Sequence, residues 1–372
     1  MRALRNCASS EIEPMKTPAQ FAAALVRPEI QAVNAYHVAP ATGMIKLDAM
    51  ENPYRLPEAM RAELGRELAA VAINRYPDAS GDAVKAALRT ALGIDERCAL
   101  ILGNGSDELI QIVTVSLAKP GATMLAVEPS FVMYKANAML AQMRYAGVPL
   151  NADFSLDTAA VLAAIERERP ALTFLAYPNN PTGNLFPLAD IERIVRAAPG
   201  LVVIDEAYHP FARVSFAGRL ADHPNAIVMR TLSKLGLAGI RLGYAFGDPA
   251  WIAEFDKARP PYNLNALTQA VALTVLKHTD VLAEQAATLR AERDTLAGRL
   301  AQLPDMQVFP SAANFLLVRV PDANATFARL KAAGILIKNL HGWHPLLANC
   351  LRLSIGTPQE NAALLGALQS MG

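Results

Sequence analysis

The stretches LVVIDEAY (201–208) and AIVMRTLSKLGLAGIRLGYAF (226–246) decide the fold. Each opens on a short unbroken apolar run that leads into polar residues able to do chemistry. Such a run, bounded by turn residues, suits a strand buried on both faces, as in a sheet with helices on each side. Outward from these two stretches the runs recur: ALIL (99–102), TMLAV (123–127), ALTFLAY (171–177), LVVI (201–204), AIVM (226–229) and RLGYAF (241–246). The segments 107–118, 131–142, 157–168 and 188–198 lie between them, with apolar residues three and four apart and Pro or Gly at the joins, so they read as helices. The alternation predicts an α/β fold, a large domain whose mostly parallel sheet is covered by helices. Past about residue 260 the rhythm changes. Apolar positions at helical intervals from Leu264 to Leu303 predict one or two long linking helices. Beyond them MQVFP, NFLLVRV, ILIK and LRLSI read as strands and 322–333 and 358–369 as helices, which predicts a smaller α+β C-terminal domain.

Composition narrows the function. A chain of 372 residues with 52% hydrophobic and 19% charged residues can bury a large core and is unlike a disordered protein. Lys plus Arg number 35 against 34 Asp plus Glu, so no global field draws the molecule to nucleic acid or to anionic lipid. Cys7, Cys98 and Cys350 are far apart and in no metal-binding spacing, which argues against a disulfide framework or a zinc site. No apolar run reaches the ~18 residues of a membrane span, so a cytoplasmic enzyme without a metal is expected. Met15 opens MKTPAQFAAALV, which reads as a helical start, and residues 1–14 read as a frayed extension or an early start codon.

No H-E-x-x-H and no G-x-S-x-G is present, which removes the common metallohydrolase and serine-hydrolase readings. Three features carry other chemistry. GNGSD (103–107) follows a strand and opens a helix, so its backbone N–H groups would face an anion, although a plain glycine turn capped by Ser106 has the same appearance. Asp205 ends a strand where open α/β sheets place functional groups, with Tyr208 three residues on; a turn-forming acid is the bland alternative. Lys234 sits among Leu232, Leu235 and Leu237, where an amine loses solvation and becomes a nucleophile toward an aldehyde. Most lysines are solvated, but Thr231, Ser233 and Arg241 beside this one could bind a phosphate.

An anion cradle, a strand-end acid and a desolvated lysine are together what pyridoxal 5'-phosphate requires. From about residue 28 onward the chain resembles the fold-type I pyridoxal-phosphate aminotransferases, through YPNNPTG (177–183), DEAY (205–208), SK (233–234) and LRLSIGTP (351–358). Within them it is most similar to the histidinol-phosphate aminotransferases, through RPEIQAVNAY (27–36), LDAMENPY (47–54), RYPD (75–78), GNGSDE (103–108) and PSFVMY (129–134). The resemblance implies that Lys234 holds the cofactor's aldehyde as a Schiff base and moves the substrate proton. It implies that Asp205 pairs with the pyridine nitrogen, that Asn180 and Tyr208 bond the 3-oxygen, and that Phe131 stacks on the ring. Ser106, Asp107, Thr231, Ser233 and Arg241 would hold the phosphate, with Tyr76 reaching across from a second protomer of a homodimer. Arg352 would meet the anionic end of each substrate, and Tyr36, Lys338 and Asn180 would complete the substrate pocket. The implied reaction is transamination of L-histidinol phosphate with 2-oxoglutarate, giving imidazole acetol phosphate and L-glutamate, a step of histidine biosynthesis. An aromatic aminotransferase, a decarboxylase of a phosphorylated amino acid and, remotely, a non-catalytic regulatory module are the alternatives.

The implied organisation is an N-terminal extension at 1–27, partly disordered, and an arm at 28–50. The cofactor-binding domain would span 51–262, with linking helices and the small domain at 263–372. Three departures stand out. The gap from Lys234 to Arg241 is one residue shorter than in some aminotransferases. Lys338 occupies a position where many relatives carry Arg, and Met50 replaces an Asn common in the family.

Overall fold

The computed structural model describes residues 17–35 and 39–370, and the chain divides into two units, Met1–Pro40 and Ala41–Gly372. In the first unit a helix spans Pro18–Leu25, where MKTPAQFAAALV predicts one. Thr17 and Gln20 cap it reciprocally: the Thr17 hydroxyl accepts from the Gln20 N–H, and the Gln20 amide oxygen accepts from the Thr17 N–H. The expectations for residues 1–14 lie outside the described residues.

The second unit contains two sheets. In chain order the strands are β1 (Ile45–Leu47), β2 (Ala99–Asn104), β3 (Thr123–Glu128), β4 (Arg144–Pro149), β5 (Leu172–Ala176), β6 (Leu201–Asp205), β7 (Ala226–Thr231), β8 (Leu242–Gly247), β9 (Gln307–Val308), β10 (Phe315–Arg319), β11 (Ile335–Asn339) and β12 (Cys350–Ser354). Seven form a sheet in the order β2-β8-β7-β6-β5-β3-β4. β3 to β7 are mutually parallel, and β8 runs antiparallel to its neighbours β2 and β7.

Alternate side chains along each central strand enter different cores, as the two-residue period of a strand requires. Val202, Ile204 and Val228 pack on one face, and Leu201, Val203 and Ile227 on the other. Both faces are therefore dry, which is why these strands read as unbroken apolar runs. β4 departs from that pattern. It is an edge strand, partly exposed, with Arg144 at its start and Gly147 and Pro149 along it, and no apolar run announces it. The helices Glu58–Ala69, Asp82–Leu92 and Pro249–Ala258 likewise go unmarked in the sequence pattern.

The other five strands form a sheet in the order β1-β11-β12-β10-β9. β1 lies parallel to β11, almost three hundred residues away in sequence, with Ile45 opposite Ile335. The predicted linking segment is two helices, Ala266–Val275 and Thr279–Leu300, separated by a 3₁₀ turn at Leu276–His278. The longer one contributes Ala286, Leu289 and Leu296 to the core of the five-stranded sheet. Among the described residues no helix is long and apolar enough to cross a membrane.

The strand directions position the site. The carboxyl ends of β2, β5, β6 and β7 and the beginning of β8 all fall at one edge of the large sheet. Groups carried there converge although they are far apart in sequence.

Candidate active site

A cavity of about 230 Å³ opens at that edge. Ser106, Asp107, Phe131, Asn180, Asp205, Tyr208, Thr231, Ser233, Lys234 and Arg241, ten residues expected at the site, line it, together with the Ala49–Glu51 segment.

Lys234 lies in a 3₁₀ turn just after β7. Its Nζ donates to the carbonyl of Ala49 at 3.3 Å and lies 5.8 Å from the centre of the Tyr208 ring. Burial, reinforced by the nearby Arg352 charge, pushes the amine down to about 8, so it gives up its proton far more readily than a solvated lysine. Asp205, the last residue of β6, is buried, and burial pushes its carboxyl up to about 6 against the bonds it accepts from Tyr134 and from the N–H of Ala207. Burial also raises the phenol of Tyr208, which therefore stays a hydrogen-bond donor.

The anion cradle is assembled from three strand ends. The Thr231 hydroxyl donates to Ser233 Oγ at 2.9 Å and accepts from the Ser233 N–H at 3.1 Å. Arg241 Nη2 donates to Asp107 Oδ2 at 3.1 Å. Gly105 permits this approach: it holds φ 80° and ψ 165°, and a Cβ there would lie 2.6 Å from Arg241 Nη2. Gly243 on β8 is required for the same reason, since a Cβ would lie 2.4 Å from the backbone nitrogen of Ser106. Gly105→Ala is expected to cost about 1–3 kcal/mol in backbone strain and to displace the guanidinium from the cradle. Urea unfolding and equilibrium dialysis against pyridoxal phosphate measure the two effects, and a variant unchanged in both would contradict this view of the turn.

Other expected residues lie elsewhere. Arg352 of β12 is buried, its Nη1 donating at 2.6 Å to the Oδ1 of Asn180, which lines the cavity, and its Nη2 to the carbonyl of Asp48 at 3.0 Å. With that oxygen occupied, the Asn180 NH₂ is the part left to donate into the cavity. Lys338 stands opposite Arg352 in the β11–β12 ladder, and its Nζ lies 4.9 Å from the centre of the Trp343 ring. Tyr76 is 81% exposed and stacks on Tyr262 at 4.5 Å, away from the cavity lining of its own chain. Tyr36 lies outside the described residues.

Three residues not anticipated from the sequence stand directly behind the site. Tyr134 bonds Asp205, and Glu206 and Arg230 form a buried ion pair at 2.9 Å. Glu206 is the second letter of DEAY and Arg230 immediately precedes Thr231, so the only sequence signal was a charge embedded in an apolar run. The Asn common at position 50 in the family also gains an account: Met50 holds φ 51°, a left-handed conformation that Asn adopts more readily than Met. Hydrogen bonds hold its backbone there, its N–H to Ser354 Oγ at 2.8 Å and its carbonyl from Asn314 Nδ2 at 2.9 Å.

The chain belongs to the aminotransferase class I and II family, whose model matches residues 42–368. It is 62% identical over 345 residues to the histidinol-phosphate aminotransferase of Chromobacterium violaceum, covering 93% of this chain and 97% of that protein. It is 58% identical over 346 residues to histidinol-phosphate aminotransferase 1 of Burkholderia lata, with the same coverage. The crystal structure of histidinol-phosphate aminotransferase from Sinorhizobium meliloti in complex with pyridoxal-5'-phosphate superimposes with a TM-score of 0.82 at 26% identity, over 94% of this chain and 98% of that one.

Enzymes of this family work with pyridoxal phosphate, and the cavity fits it. A cradle of hydroxyls, helix-start N–H groups and a guanidinium suits the phosphate, a buried acid suits the ring nitrogen, and a desolvated amine suits the aldehyde.

Proposed function

We propose that the chain moves the amino group of L-histidinol phosphate to 2-oxoglutarate, giving imidazole acetol phosphate and L-glutamate, as a cytoplasmic enzyme of histidine biosynthesis. The observation that carries this reading is the meeting of Lys234, Asp205 and the Thr231–Ser233–Arg241 cradle in one cavity, in a chain whose relatives are named for that reaction. Bound there, pyridoxal phosphate supplies an aldehyde that takes up amino groups and a ring that draws electrons from the substrate's α-carbon.

The protein's residues bind, orient and move protons. Lys234 Nζ would hold the aldehyde carbon and, when free, would take the proton from the substrate's α-carbon and return it as a general acid. Asp205 keeps a proton on the ring nitrogen, which preserves the ring's pull on electrons. Asn180 Nδ2 and the Tyr208 hydroxyl would donate to the 3-oxygen, and Phe131 would cover the ring. The backbone N–H groups of Ser106 and Asp107, the hydroxyls of Thr231 and Ser233, and the Arg241 guanidinium hold the phosphate, so the reacting end stays in place between half-reactions.

Arg352, whose fork suits carboxylate and phosphate alike, meets the anionic end of each substrate. Lys338 and Tyr36 extend that pocket toward the substrate phosphate. Two chains form the active unit, each lending Tyr76 to the other's cradle; the exposure of Tyr76, which does not line its own chain's cavity, supports this.

Purified protein given L-histidinol phosphate and 2-oxoglutarate is expected to form glutamate much faster than with phenylalanine as donor, without releasing carbon dioxide. Faster turnover of phenylalanine would favour an aromatic aminotransferase, and carbon dioxide release a decarboxylase. Sedimentation of the same preparation should give a dimer; a fully active monomer would overturn the role of Tyr76.

A further inference from the structure

Tyr134 lies one turn into the helix Val132–Leu140, three residues after Phe131, and is wholly buried. Its ring stacks flat on Phe174 of β5, with centroids 4.5 Å apart and planes 10° apart, and meets Phe131 edge-on at 5.7 Å. Held between these rings, its hydroxyl donates to Asp205 Oδ2 at 2.7 Å, while the Ala207 N–H donates to Oδ1 at 3.1 Å. Each oxygen of the carboxylate thus has a donor. One comes from the loop that follows Asp205, and the other from a helix in a different layer of the fold.

We propose that Tyr134 is a positioning residue for the cofactor, acting through Asp205 by fixing the direction and the charge of that carboxylate. The inference rests on the reading that the cavity binds pyridoxal phosphate. A proton shared between Asp205 and the ring nitrogen stays on the nitrogen when the carboxylate is the better-stabilised anion. The other groups facing Asp205 are Tyr208 and the acids Asp107 and Glu206, and the two acids, like burial, oppose a negative charge on it. The bonds from Tyr134 and the Ala207 N–H oppose that push, and the Tyr134 phenol, itself raised far above its ordinary value by burial, remains a donor at neutral pH. Without Tyr134 the proton therefore moves from the ring nitrogen toward Asp205.

The test uses the full-length holoenzyme loaded with pyridoxal phosphate labelled with ¹⁵N in the ring. Tyr134→Phe keeps the stacked ring and removes only the donor. Its ring-nitrogen resonance is expected to move from the pyridinium position toward neutral pyridine, and its cofactor to dissociate about ten- to a hundredfold more readily, the usual worth of a hydrogen bond to a charged group. The phosphorus resonance of the cofactor should stay put, because the cradle is untouched. Tyr134→His, which restores a ring donor, should move the nitrogen resonance back part of the way. A Phe variant with an unchanged pyridinium resonance and unchanged retention overturns the inference. A wild-type chain that takes up no pyridoxal phosphate overturns the reading beneath it, and this inference with it.

Discussion

Lys234→Ala is expected to abolish covalent attachment of the cofactor and to lower turnover by on the order of 10²- to 10⁴-fold, the contribution of a positioned acid–base group. Borohydride followed by intact-mass measurement should fix pyridoxal phosphate to the wild-type chain and not to the variant, and wild-type turnover in the variant would remove Lys234 from the mechanism. An opposite effect on stability accompanies the loss. The folded-state pKa of Lys234, about 8, lies below its ordinary value of 10.5. Below pH 8 both folded and unfolded chains carry the proton, and the folded chain bears the cost of burying the charge. Between about 8 and 10.5 the unfolded chain binds a proton that the folded chain does not, so stability rises with pH. Cofactor-free Lys234→Met should therefore melt above cofactor-free wild type at pH 7, with the gap closing toward pH 10. A gap that widens with pH would show that the amine is not desolvated. The residue that performs the chemistry is, in the empty protein, a source of instability.

Glu206→Leu is expected to lower stability by about 3–5 kcal/mol, because it leaves the Arg230 guanidinium buried without its anion. Glu206 accepts from Arg230 Nε at 2.9 Å, from Ser215 Oγ at 2.9 Å and from the Phe216 N–H at 2.6 Å, and its side chain is fully buried. The double variant Glu206→Leu with Arg230→Met removes both charges and should recover most of the loss, since a buried pair is often replaceable by apolar groups although neither half is. Urea unfolding of the single and double variants measures the difference; a single variant within about 1 kcal/mol of wild type would mean that solvent reaches Arg230. Cofactor retention should fall in the single variant as well, because Glu206 adjoins Asp205 and Arg230 adjoins Thr231.

Local chemistry made part of the site readable in the sequence. Lys234 among leucines, Asp205 at the end of LVVI, and two glycines before Ser106 each state a requirement that a neighbouring residue satisfies, so each is visible in a short window. Tyr134 gave no such signal. A tyrosine in an amphipathic helix is ordinarily core, and its bond to Asp205 spans 71 residues. Arg352 was recognisable as a family position, but its seat behind Asn180 depends on a contact across 172 residues. The left-handed backbone at Met50, which accounts for the Asn common in the family, was announced by no local pattern, and nothing in the structure explains the Met.

The sequence by itself determined the layers: apolar runs specify strands buried on both faces, and three-and-four spacing specifies the helices that cover them, because burial is set by local pattern. It also determined the type of chemistry, since a desolvated lysine, a strand-end acid and a glycine turn carry their function in their immediate neighbours. Only the tertiary structure decided which strand lies beside which, that β4 forms an edge, that β1 joins β11, and that Tyr134 and the Glu206–Arg230 pair stand behind the cavity. Those outcomes depend on pairings between residues far apart in the chain, and no local pattern encodes the partner.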